Sequence, residues 1–105
     1  MLVAHCEDLP DGFIVYSQVL DEASIHNIAV RAQRHGEGLG RMLVDGSLLR
    51  MKSAGATRCL LEVRRSNSAA QGLYESAGFE LDGERKDYYP GGGGRENALL
   101  MSRKL

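Results

Sequence analysis

The chain has no tryptophan, two prolines and two cysteines among its 105 residues, and its apolar runs are short. Each shortage excludes something. No run approaches the roughly 18 apolar residues of a membrane-crossing helix, and the N-terminus lacks the basic region of a secretory signal. The expectation is therefore a cytoplasmic protein without membrane contact. Cys6 and Cys59 lie far apart, each within an expected strand, and form no Cys-x-x-Cys pair. His5, His26 and His35 add no metal-ligand spacing, so two free thiols and no metal are expected. A net charge of −1 gives no electrostatic reason to expect nucleic acid or an anionic membrane as partner.

What remains is an ordinary globular composition, 43% hydrophobic and 26% charged, sized for one small domain over 1–105. Short apolar segments at Leu2–Cys6, Phe13–Leu20 and Ala23–Val30 are joined by turn-forming residues and read as an antiparallel meander. A helix follows from about Gly38 to Ser53. Its expected inner stripe is Leu39, Met42, Leu43, Gly46 and Leu49, with Val44, Leu48 and Met51 as a second stripe off that face. Gly55 closes it. Thr57–Val63 reads as a strand reached by a helical crossover, hence parallel to the third. A short helix with Ala69, Ala70, Leu73, Tyr74 and Ala77 on one face follows, with Ser68–Gln71 as its capping box. Phe79–Tyr88 and Ala98–Lys104 form a last strand pair around the glycine run after Pro90, read as a mobile hairpin loop. The expected architecture is α/β, a mixed sheet in the order β-β-β-α-β-α-β-β.

Glycine is not scarce, and it is concentrated at one junction. His35-Gly36-Glu37-Gly38-Leu39-Gly40 joins the third strand to the long helix. A helix start carries unpaired N–H groups and partial positive charge, and glycines let those amides approach a phosphate. Gly40 is followed by Arg41 and Met42 rather than Lys and Ser or Thr, so this is not a Walker loop. Its Gly-x-Gly-x-Gly spacing is not the dinucleotide fingerprint either.

Apart from its first residue the stretch matches (Gln/Arg)-x-x-Gly-x-(Gly/Ala) and resembles the coenzyme A loop of the GNAT N-acetyltransferases. Across residues 23–101 the likeness extends, in register, to Asn27–Val30, Gly38–Leu43, Leu61–Arg64, Ser66–Ala70, Leu73–Phe79, Tyr88–Pro90 and Gly94–Ala98. It is nearest to the bacterial ribosomal-protein-alanine N-acetyltransferases of that family. The resemblance implies a strand splay for coenzyme A and transfer of acetyl from acetyl-CoA to an amine, foremost the N-terminal α-amine of a protein, with a ribosomal protein as a candidate acceptor. It implies that His35, Gly36, Glu37, Gly38, Leu39 and Gly40 hold the diphosphate. Ile28, Ala29 and Val30 would pair with the pantetheine arm, and Asn67 would approach the coenzyme. Glu62 would be the general base, Tyr74 the general acid, and Tyr88, Tyr89 and Arg95 would lie near the acceptor.

Taken alone, several of these residues have plainer readings. Tyr74 belongs to the apolar face of its helix, Asn67 is a helix cap, Glu62 can face solvent or pair with Arg64, and Arg41 sits with Asp45 and Lys52 on a solvated face. His35 also departs from the family's Gln or Arg, and full charge there depends on protonation. The family's usual N-terminal strand and helices have no counterpart before Leu2, which leaves three alternatives open: a natural short form, an incomplete gene model, or a chain that completes itself as a homodimer. Transfer to a small amine or a lysine, or a coenzyme-binding remnant without turnover, are the rival readings.

Overall fold

A computed structural model describes residues 3–9, 11–31, 38–91 and 94–105, with only the backbone described for 3–9, 89–91 and 94–95. The elements are β1 (Val3–Leu9), β2 (Gly12–Val19), β3 (Glu22–Val30), α1 (Leu39–Ser53), β4 (Arg58–Arg64), α2 (Ser68–Ser76), β5 (Glu80–Gly91) and β6 (Gly94–Lys104). This is the order expected from the sequence, in one six-stranded sheet ordered β1-β2-β3-β4-β6-β5. Every neighbouring pair is antiparallel except β3 with β4, which is parallel as the α1 crossover requires.

Alternation along β4 separates the two sheet faces. Cys59, Leu61 and Val63 are buried, while Arg58, Glu62 and Arg64 are exposed. The buried set packs with Leu43, Val44, Leu48 and Met51 of α1 and Tyr74 of α2, together with Ile14, Tyr16, Ile25, Phe79 and Met101. Both helices thus cover one face, and each fully buried aliphatic side chain there contributes about 1.5–3 kcal/mol.

On β3 the alternation breaks. Tyr16 pairs with Ile25 and Val15 with Asn27, so His26 is an extra residue outside the β2–β3 ladder. Such a bulge switches which residues face inward. Ala23 and Ile25 are buried before it, and Ile28 and Val30 pack against the core after it.

The expected faces of α1 are corrected. Met42 and Leu49 are exposed, at 59% and 69%, whereas Leu43, Val44, Ser47, Leu48 and Met51 are buried. The inner stripe follows helical spacing but passes through a serine, so apolar residues alone pointed to the wrong face. The capping box is also corrected. Asn67, not Ser68, caps α2 by accepting from Ala70 N at 3.1 Å, and Gln71 Nε2 instead donates to the carbonyls of Arg64 and Arg65. The strand pairing of β1 runs on to Leu9, and Gly91 pairs with Gly94 where a loop was expected.

Ser47 Oγ is fully buried and has no hydrogen-bond partner among the described residues. An unpaired buried hydroxyl costs about 1–3 kcal/mol, and alanine is the better helix former. Ser47→Ala should therefore raise stability by about 1 kcal/mol, or roughly 4–8 °C in Tm for a domain this small, measured by thermal unfolding.

Candidate active site

The β3–β4 ladder has its last rung at Ile25–Leu61, although β3 continues to Val30 and β4 to Arg64. The last rung falls one residue before the bulge at His26. Beyond it the strands part, as the expected splay requires, and α1 begins beside the gap.

On the helix side lies a cleft of about 350 Å³, lined by Ile28, Ala29, Val30, Gly38, Leu39 and Gly40. All six were singled out as coenzyme contacts from the sequence, and the fold brings them together with Ala69, Ala70 and Leu73 of α2. Gly38 is the N-cap of α1, has φ 78°, and receives no side-chain cap. That left-handed conformation favours glycine, and a Cβ there would meet nothing within 4 Å. Gly40 is there for closeness instead: its Cβ would stand 3.2 Å from Leu73 Cδ2. Arg41 also lines the cleft, a role its charge pattern did not disclose, while pairing with Asp45 at 2.9 Å as expected of a helix-face residue. His35, Gly36 and Glu37 lie outside the described residues.

On the face without helices is a second cavity of about 600 Å³, whose lining includes Ser24, His26, Arg58, Glu62, Asp82 and Tyr88. Glu62 is paired, but with Arg85 at 3.5 Å rather than with Arg64, which binds Glu96 at 3.3 Å. Arg85 also stacks over the Tyr88 ring, 4.1 Å from its centroid. Tyr88 and Glu62 are thus joined through one guanidinium, as only the β5–β6–β4 order allows. Arg58 and Asp82 form a further pair at 3.6 Å. For Tyr89 and Arg95 the backbone alone is described, and they pair with Glu96 and Pro90 respectively in the β5–β6 hairpin.

Tyr74 lines neither cavity. It is 5% exposed in the core, edge-on to Phe79 at 5.7 Å. Burial first, and the neighbouring Cys59 second, push its phenol from 10.0 up to about 12. Asn67 sits at the start of α2 with its side chain engaged in the cap. The turn before that helix is held from β6: Glu96 Oε1 accepts from Ser66 N at 2.6 Å. Hydrogen bonds from Ser66, aided by Arg64, keep the Glu96 carboxyl below its usual range. Among the described residues no group of three His, Cys, Asp or Glu is placed to hold a metal ion, and no helix is long and apolar enough to cross a membrane.

Cys59 is a free, fully buried thiol, and burial pushes it from 9.0 up to about 12. With Tyr74 it makes the fold sensitive to alkali. On unfolding both groups become stronger acids, so the folded state binds more protons between pH 9 and 12. Stability from these groups is complete below pH 9 and is lost as pH rises towards 12. Tm should fall over that interval, and the fall should be shallower in Tyr74→Phe and Cys59→Ala, each compared with its own Tm at neutral pH.

The "Acetyltransferase (GNAT) family" model matches residues 3–79. The [ribosomal protein bS18]-alanine N-acetyltransferase of Salmonella typhimurium is 42% identical over 96 residues, covering 91% of this chain and 65% of that protein. The crystal structure of the ribosomal-protein-S18-alanine N-acetyltransferase of Escherichia coli superposes with a TM-score of 0.84 at 41% identity, covering 90% of this chain and 61% of that one. The NatC complex bound to Gag peptide and CoA includes a chain matching with a TM-score of 0.82 at 28% identity, over 91% of this chain and 62% of that one. The chain thus spans a little under two thirds of these relatives. Its sequence match, its fold and its parted parallel strands agree: the chain belongs to the GNAT acetyltransferase family.

Proposed function

We propose that the protein transfers acetyl from acetyl-CoA to the N-terminal α-amine of a protein acceptor in the cytoplasm, ribosomal protein bS18 being the first candidate. The observation that carries this is the parted β3–β4 pair, with a glycine-lined cleft on its helix side and Glu62 in the cavity on its other face. The relatives named for bS18 alanine acetylation support the choice of acceptor.

The cleft fits the coenzyme by shape and by chemistry. Past Ile25 the β3 edge has no rung to β4, so Ile28, Ala29 and Val30 form an edge along which an extended pantetheine arm adds as a strand would. The start of α1 at Gly38 offers main-chain N–H groups to the diphosphate, a cradle that His35, Gly36, Glu37, Leu39 and Gly40 complete. Asn67 borders the coenzyme from the start of α2.

Acyl transfer needs a neutral amine, and an α-amine titrates near about 7.7–8.0. Glu62 takes its proton, directly or through water. To do so it exchanges Arg85 for the incoming ammonium, while Tyr88, Tyr89 and Arg95 border the acceptor. As the C–N bond forms and the C–S bond breaks, Tyr74 gives its proton to sulfur, a step that requires this buried phenol, which lines neither cavity, to turn from the core towards the gap between β3 and β4. A phenol near 12 is a weak acid, so it recovers a proton from the newly acylated nitrogen in the same step and no phenolate accumulates. An N–H of β3 near Ile28 meets the developing oxyanion. A homodimer, one of the alternatives the sequence leaves open, has Met42 and Leu49, both exposed on α1, as its candidate contacts.

Gly40→Val adds bulk against Leu73, and Gly38→Val strains a backbone at φ 78°. Both should weaken acetyl-CoA binding in calorimetry; unchanged affinity in two folded variants would reduce the loop to a turn. For the chemistry, Glu62→Gln should lower turnover most at low pH, where the amine is protonated, and recover in part as pH rises. Tyr74→Phe should lose about 10²–10⁴-fold with no such recovery, because a phenol near 12 stays protonated throughout pH 6 to 9. Near-parental turnover of both variants over that pH range would make the two residues structural.

A further inference from the structure

His26 lines the same cavity as Glu62, and the chemistry above leaves it without a task. Its place in the fold is specific. As the extra residue of the bulge it stands outside the β2–β3 ladder, one position past the last β3–β4 rung. Glu62 is likewise one position past that rung on β4. The two side chains therefore flank the mouth of the splay on the face without helices.

The ring is also held. Ser17 on β2 is 2% exposed, and its Oγ lies 2.6 Å from His26 Nε2. A buried hydroxyl deprived of its partner is costly, so Ser17 fixes the imidazole against the sheet. This leaves Nδ1 as the polar ring atom that makes no hydrogen bond among the described residues. The charged groups around it, by contrast, are already paired: Arg58 with Asp82 and Arg85 with Glu62.

We propose that His26 is an acceptor-binding residue, latched by Ser17 so that Nδ1 hydrogen-bonds the first peptide unit of the acceptor while the amine faces Glu62. The chemistry recognised is that of a peptide N-terminus: an ammonium for the carboxylate and, next to it, a main-chain amide for an imidazole nitrogen. In either tautomer Nδ1 has a partner there, donating to the carbonyl or accepting from the N–H. This inference rests on the proposed acceptor reading and deepens it.

The test is steady-state kinetics with acetyl-CoA and a short alanine-initiated peptide, alongside calorimetry of acetyl-CoA and thermal unfolding. His26→Phe should raise the peptide KM about ten-fold, the size of one hydrogen bond to a ligand, with acetyl-CoA affinity unchanged. His26→Asn, which keeps a hydrogen-bonding atom near the Nδ1 position, should recover most of that loss. Ser17→Ala, which frees the ring without removing it, should fall between. A parental peptide KM in His26→Phe, an equal loss of acetyl-CoA affinity, or an Asn variant no better than Phe would overturn the proposal. If Phe at this position prevents folding, the Asn and Ser17→Ala variants decide by the same KM readout, and parental values in both overturn it. If the parental protein acetylates no peptide amine, the acceptor reading itself fails and the role of His26 with it. Acetylation with His26-independent KM removes only the latter.

Discussion

The architecture of the candidate site depends on where one parallel ladder stops. Hydrogen bonding between β3 and β4 ends at Ile25–Leu61, while both strands continue for several residues. The bulge at His26 provides a physical cause. An extra residue adds local twist and bends its strand, which turns Ile28 and Val30 onto the helix-covered core and away from β4. The same event leaves a strand edge facing the start of α1. One inserted residue thereby reorients the core side chains after it and places His26 in the cavity on the opposite face of the sheet.

The two faces of the sheet carry two kinds of environment. Tyr74 and Cys59 lie in the apolar layer beneath the helices, where burial pushes both groups to about 12 and keeps them protonated at neutral pH. Glu62 lies on the opposite face among paired charges and an aromatic ring. In the proposed chemistry Glu62, on the charged face, takes a proton and Tyr74, in the apolar layer, gives one.

The elements were legible in the sequence because each had a local cause. The strands of the meander showed apolar clustering between turn residues, and α2 had Asn67 as a cap and an apolar face. The Gly38–Gly40 segment could be placed at a helix start because it joins an apolar strand to a run with helical periodicity. The inner face of α1 was not legible, because Ser47 occupies a core position and the exposed Met42 and Leu49 imitate a buried stripe. The bulge was not legible either: Ile25-His26-Asn27-Ile28 carries no glycine or proline to mark it, and it arises from pairing with β2.

By itself the sequence determined the order of elements, the parallel crossover, the glycine-lined helix start and, through its matching blocks, the family resemblance. These are properties of short segments, governed by propensity, turn chemistry and spacing. Tertiary structure decided which partner each charge takes, so that Glu62 meets Arg85 from β5 rather than its near neighbour Arg64. It also decided that Ser17 and His26 share a hydrogen bond, and that Arg41 borders the cleft. Those outcomes depend on which strands lie side by side and in what register, and register is set by the whole sheet packing its apolar face against the helices.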